Sequence, residues 1–207
     1  MSTIRALLRS THASTAAEFG LLTPLLLSFM IGTIDFCRYL WVCNRAEKAT
    51  QMGVRYAVVT DVIPSGLATY DFATTGGIPQ GDAIPSSAFT SAECVESTAG
   101  TVTCTCVPAT CPGGNTFNKT AFDNIVARMQ IFYPGLTADK VKINYNYSGL
   151  GYAGDPNGIQ IAPLVTVKLD GVTFTPMLFR FFGSASVTLP SFTASLTLED
   201  GSGSYAN

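Results

Sequence analysis

Apolar residues follow three rhythms along this chain. From Phe19 to Ile34 they run without a charged side chain. As a helix that run measures roughly 24 Å, short of the roughly 20 residues that cross a bilayer. Asp35, Phe36, Cys37, Arg38, Tyr39, Leu40, Trp41 and Val42 supply the missing length. Beyond Asn44 the spacing becomes three and four: Ala46, Ala49, Gly53 and Tyr56 form a stripe, with Ala57 beside it. Arg45, Glu47, Lys48, Gln51 and Arg55 occupy the other faces, so the helix is predicted to continue to Thr60. Such a stripe suits packing on the protein's own globular domain. The alternative is packing against neighbouring helices, because small residues permit close approach.

The third rhythm is strict alternation, and it comes late. Residues 61–92 are crowded with Gly, Pro and Thr and read as loop. Gly100–Val107 reads as a strand that sets Cys104 and Cys106 on one face. Asn118–Tyr133 suits an amphipathic helix with Phe122, Ile125, Val126, Met129 and Phe132 on one side. Asn118 or Thr120 caps it and Pro134-Gly135 stops it. Val141–Tyr147 alternates and predicts a strand. After a turn-rich loop at Gly149–Gly158, Ala162–Leu169, Asp170-Gly171 and Val172–Thr175 predict a hairpin with a type I′ turn. Pro176–Gly183 is an apolar corner, and Ser186–Leu198 is a last strand region broken by Pro190. Glu199–Asn207 reads as a mobile tail.

This order predicts an α+β fold: a long N-terminal membrane-spanning helix continuing into a small extracytoplasmic domain with an antiparallel sheet and one further helix. The sheet is expected to pack on the outer part of the first helix or on the second. The implied boundaries are a leader at 1–13, a transmembrane helix at 14–43, its continuation at 44–60 and the domain at 61–207.

Charge and cysteines sharpen the picture. Residues 1–59 hold six basic and three acidic side chains, and residues 60–207 hold six basic and eleven acidic ones. An acidic outer domain without a basic cluster argues against a nucleic-acid partner. Cys37 and Cys43 lie on different faces of the membrane helix and cannot bond to each other there. Cys94, Cys104, Cys106 and Cys111 fall within eighteen residues and read as two disulfides, with three possible pairings. Cys94–Cys104 with Cys106–Cys111 is favoured because it closes local loops. Disulfides require an oxidising compartment, which sets this domain outside the cytoplasm. A zinc site built from all four is the rival reading, but Cys104-Thr-Cys106 is tighter than a usual zinc knuckle.

No enzyme is expected. The single histidine, His12, falls in the leader, and no Ser–His arrangement, P-loop or dinucleotide fingerprint is present. Neither catalytic residues, a metal nor a cofactor is assigned.

The N-terminus carries the most specific signal. A basic leader with Arg5 and Arg9 meets one carboxylate, Glu18, immediately before Phe19 and the apolar run. A secretory signal peptide would carry about 7–15 apolar residues and a small-x-small cleavage site. Here charged and bulky residues follow instead. The arrangement resembles the class III signal of type IV pilins and pseudopilins. In that signal Glu is the fifth mature residue, which implies cleavage between Ala13 and Ser14.

Residues 13–57 as a whole resemble the TadE-like family of tight-adherence pilus assembly proteins, the minor pseudopilins. The resemblance is carried by Ala16-Ala-Glu-Phe-Gly-Leu-Leu-Thr-Pro-Leu-Leu-Leu27, Gly32-Thr-Ile-Asp-Phe-Cys-Arg38 and Asn44-Arg-Ala-Glu-Lys-Ala-Thr-Gln-Met-Gly-Val-Arg-Tyr-Ala57. Asp35 stands where Glu is common in the family, Val54 where Ala is common, and Ala13 where pilins often have Gly. The resemblance implies a single-pass protein of the bacterial inner membrane, N-terminus cytoplasmic and C-terminal domain periplasmic. It implies processing at Ala13, Ser14, Glu18 and Phe19 by a prepilin peptidase. Its implied partners are other pseudopilins, the major pilin, Tad inner-membrane assembly proteins and membrane lipid. Asp35 and Arg38, three apart on one helix face, are read as a charge pair. The competing reading is a membrane-anchored domain outside any pilus that binds a ligand at Gly149–Gly158 or at the cysteine loop.

Overall fold

The computed structural model describes residues 11–201 apart from 109, 157 and 184, and leaves the side chains of 11–14, 179, 181 and 182 undescribed. Most of the expected leader and the tail beyond Gly201 therefore lie outside the described residues. The elements in chain order are α1 (Thr11–Ala57), α2 (Ser65–Thr69), β1 (Ser91–Glu96), β2 (Val102–Val107) and α3 (Lys119–Gln130). There follow β3 (Val141–Asn146), β4 (Leu164–Leu169), β5 (Thr173–Phe174), α4 (Met177–Phe182), β6 (Val187–Thr188) and β7 (Phe192–Thr197). They form two compact units. One comprises α1 up to Val42 together with Thr173–Val187; the other comprises Cys43–Val172 and the chain from Thr188 on.

The larger unit is α+β. Its antiparallel sheet has the order β2-β1-β3-β4-β7. Alternation sorts the side chains: Val141, Ile143 and Tyr145 of β3 and Val165, Val167 and Leu169 of β4 are all fully buried. Register stacks them in rows, Ala92–Tyr145–Val165 and Cys94–Ile143–Val167. The opposite face carries Lys142, Asn144, Thr166 and Lys168.

Two helices cover the apolar face. In α3, Asn118 Oδ1 accepts from the Ala121 N–H at 3.0 Å and caps the start, while Phe122, Ile125, Val126 and Met129 are buried. In α1 the small-residue stripe lies inward: Ala46, Ala49 and Ala57 are fully buried. Gly53 approaches Met129 of α3 and Val167 of β4 so closely that a Cβ would stand 2.7 Å from Met129 Cγ and 3.5 Å from Val167 Cγ1. The stripe is thus consumed by the protein's own domain, and the sheet packs on both helices. Arg45 adds a polar tie, donating from Nε to the Phe132 carbonyl at 2.9 Å.

The structure differs from the sequence expectations in four places. Residues 61–92 do not behave as surface loop, since Val62, Ile63, Leu67, Phe72, Ile84 and Phe89 are buried in the core. The segment also holds α2 and leads into β1, a strand not foreseen. The expected hairpin across Asp170-Gly171 does not form. Both edges of β4 are already taken by β3 and β7, so β5 pairs with β6 in a separate two-stranded sheet. Gly171, at φ 67°, turns the chain away, and the Asp170 N–H is held by the Lys140 carbonyl. Finally, the first tail residues are fastened: the Glu199 and Asp200 N–H groups donate to the Val58 carbonyl, and the Gly201 carbonyl accepts from Val62.

Candidate functional site

Helix α1 is one uninterrupted helix, and its inner half is unlike anything in the larger unit. Phe19, Leu21, Leu22, Leu25, Leu26, Phe29 and Met30 are all more than half exposed, with Phe19 at 72% and Leu21 at 80%. A contiguous apolar surface of this extent is a surface for a membrane or a partner. The helix is long and apolar enough to cross a membrane. Its few polar groups are neutralised locally. Thr23 Oγ1 donates to the Phe19 carbonyl at 2.7 Å, Ser28 Oγ to Pro24 at 2.8 Å and Thr33 Oγ1 to Phe29 at 2.9 Å. Each hydroxyl thereby satisfies its proton within the preceding turn, which an apolar surrounding demands. Pro24 sits inside the helix without ending it.

Of the residues tied to processing, Ala13 and Ser14 are helical in backbone, and their side chains lie outside the described set. Glu18 is exposed, one residue before Phe19, where the apolar surface begins.

The other end of that surface is marked by Asp35. The residue is only 6% exposed. Arg38 Nη1 donates to Oδ1 at 2.9 Å, the i,i+3 pair expected from spacing. Two further donors come from far along the chain: the Met177 N–H reaches Oδ1 at 2.9 Å and the Leu178 N–H reaches Oδ2 at 2.8 Å. These are the first two amides of α4, which no carbonyl within that helix can satisfy. Asp35 therefore caps a helix 142 residues away while it balances Arg38. Around it, the Arg38 guanidinium lies 5.3 Å from the centroid of the Phe174 ring, and Tyr39 meets the same ring edge-on at 5.8 Å. Sequence reasoning identified the local pair and missed the cap, since no local pattern links positions so distant.

In the larger unit the four clustered cysteines form two disulfides, Cys94–Cys104 and Cys106–Cys111. Cys94 and Cys104 stand directly opposite each other in the β1–β2 register, so the bond ties two strands of one ladder. The second disulfide closes a loop that borders an open groove of about 490 Å³ lined by Tyr70, Phe72, Pro108 and Gly113. Gly66 and Gly113 touch back to back there; a Cβ on either would overlap the other's backbone. Cys37 and Cys43 are free thiols.

No curated protein and no solved structure matches the chain. Residues 13–55 match the family model described as TadE-like protein, so the similarity falls on the long helix, from its exposed apolar half to its packed outer turns.

Proposed function

We propose that this protein is a minor pseudopilin acting in the assembly or initiation of Tad/Flp type IVb pili. The observation that carries the reading is the TadE-like match over residues 13–55, which coincides with an exposed apolar helix opening on Glu18. In this reading α1 anchors the chain in the bacterial inner membrane. A prepilin peptidase cuts between Ala13 and Ser14, and the new Ser14 α-amine becomes available to a neighbouring subunit. Glu18 of one subunit bonds that amine of the next, which offsets the cost of a carboxylate among apolar helices. Other pseudopilins, the major pilin and Tad inner-membrane proteins are the partners. The two disulfides support a periplasmic location for their domain, because such bonds persist in oxidising compartments.

Intact-mass analysis of membrane-expressed protein with and without the peptidase tests the reading. A mature chain beginning at Ser14 supports it, and a chain beginning after Cys43 refutes it in favour of a secreted domain. Glu18→Ala is expected to leave the larger unit folded and to impair pilus assembly; normal assembly removes the role given to Glu18.

A second reading, a membrane-anchored binding domain outside any pilus, is favoured by the groove beside the Cys106–Cys111 loop, where half-buried Tyr70 offers aromatic surface. Normal piliation in a strain lacking the protein would favour it.

A further inference from the structure

The segment Thr173–Val187 belongs to the same compact unit as the apolar half of α1. Its sequence, Thr-Phe-Thr-Pro-Met-Leu-Phe-Arg-Phe-Phe-Gly-Ser-Ala-Ser-Val, is apolar at five of the six α4 positions and carries Arg180 as its one charge. Met177 is 46% exposed and Val187 is 40% exposed. A soluble protein gains nothing by presenting such a hairpin to water.

The depth at which it is attached points to what covers it. Asp35 lies seventeen residues beyond Glu18 along one continuous helix, a distance of roughly 25 Å. The hydrocarbon core of a bilayer is about 30 Å thick. With Glu18 at one boundary, Asp35 and the start of α4 lie about 5 Å inside the other. Trp41, 66% exposed, then falls roughly 35 Å from Glu18, within the headgroup layer where tryptophan concentrates. At the depth of Asp35 water is too scarce to satisfy the first amides of a helix, and the Asp35 carboxylate supplies the acceptors instead. Its charge is balanced by Arg38, whose other face lies on Phe174.

We propose that Thr173–Val187 is a second membrane-contact element: an interfacial hairpin whose helix α4 lies at the boundary between acyl chains and headgroups, fastened to the transmembrane helix by Asp35. The proposal rests on the membrane reading of α1. Arg180 reaches the headgroups from α4, and the net positive charge of the hairpin suits anionic lipid. The protein is thereby held to the bilayer at two places, which restrains rotation of α1 about its own axis in a way a lone helix does not.

The test uses the full chain with Trp41→Phe, reconstituted in phosphatidylcholine–phosphatidylglycerol vesicles whose acyl chains are brominated near the headgroup end. A tryptophan is installed by Met177→Trp in one variant and by Phe29→Trp in another. Bromolipid is expected to quench the Met177→Trp emission at least about twofold, and aqueous iodide to quench it little. If Phe29→Trp is quenched by lipid but Met177→Trp is not and stays open to iodide, the hairpin is in water and the proposal fails while the membrane helix stands. If Met177→Trp resists both quenchers, protein covers the hairpin, and the proposal fails. If neither variant is quenched by lipid, the membrane reading fails and the proposal with it. Because Met177 is an exposed position, Val187→Trp provides an independent second probe with the same expected shielding. Asp35→Ala in the Met177→Trp background is expected to restore iodide access; unchanged shielding would overturn the fastening role of Asp35.

Discussion

Gly53 is the position where a single atom separates packing from clash. A Cβ there would stand 2.7 Å from Met129 Cγ, 2.8 Å from Met129 Sδ and 3.5 Å from Val167 Cγ1. Met129 is fully buried, so it cannot swing into solvent to make room. Alanine would gain about 1 kcal/mol of helix propensity and would lose about 1–3 kcal/mol to overpacking. Its net effect therefore falls between neutral and about 2 kcal/mol destabilising. Valine adds two methyl groups to the same gap and forfeits most of the propensity gain. Gly53→Val is expected to destabilise the larger unit by about 2–3 kcal/mol. Met129→Ala alone is expected to cost about 2–5 kcal/mol through the cavity it leaves. In the double variant the valine methyls fill part of that cavity, so the two costs fall short of additivity by about 1–2 kcal/mol. Gly32 is the control: a Cβ there meets nothing within 4 Å, and Gly32→Ala is expected to be harmless. The assay is equilibrium urea unfolding of the micelle-solubilised chain, followed by circular dichroism and by hydrogen exchange at the β4 amides. A neutral Gly53→Val, or strict additivity with Met129→Ala, would refute the argument that α1, α3 and the sheet meet at this glycine.

Four further outcomes are expected in the same unit. Tyr145→Phe leaves the buried Ile63 N–H, which now donates to Tyr145 Oη at 3.2 Å, without its acceptor; the loss should be about 1–3 kcal/mol in urea unfolding, and a neutral result would contradict that role. Burial also pushes the Tyr145 phenol above its ordinary pKa, so phenolate absorbance should not develop at this residue while the fold persists. The Asp71 carboxyl is held at about 2, below its ordinary 3.8, first by the Thr74 hydroxyl, then by Gln160 and the Ala73 and Thr74 amides. A depressed folded-state value means its stabilising contribution is complete above the unfolded value and is lost as pH falls from near 3.8 toward 2. Carboxyl NMR titration of the folded protein should show this, and a midpoint near the ordinary value would contradict the hydrogen bonds assigned to Asp71. Replacing Cys94 and Cys104 together by serine opens a loop with a sequence separation of 10 and should cost about 2–3 kcal/mol by urea unfolding.

Periodicity was enough for the outer part of α1, α3, β3 and β4, because each presents one face to the core and the other to solvent. The Asp35–Arg38 pair was equally readable, since its spacing lies within one helical turn, whereas the cysteine cluster favoured local pairing without deciding it, and the β1–β2 register sets Cys94 opposite Cys104. The failures share a cause. In residues 61–92 the buried side chains Ile63, Leu67, Phe72, Ile84 and Phe89 stand at irregular intervals between turns. The core there is built from loop, and no period reveals it. β1 was overlooked because its inward residues are only Ala92 and Cys94, too small and too few to mark a strand.

What the chain determines by itself is therefore the long helix, with an uncharged apolar half and a small-residue stripe beyond it, and the similarity of residues 13–55 to the TadE-like family, all set by composition and spacing over short distances. Tertiary structure alone decides the partners of groups that local geometry leaves unsatisfied. Asp170-Gly171 is a sound hairpin turn in isolation, yet β4 had no free edge to offer β5. The apolar stripe of α1 was open to neighbours until Met129 and Val167 closed over Gly53. Asp35 acquired its second role because the amides of Met177 and Leu178, orphaned at the start of a helix, needed an acceptor that only a distant carboxylate supplied.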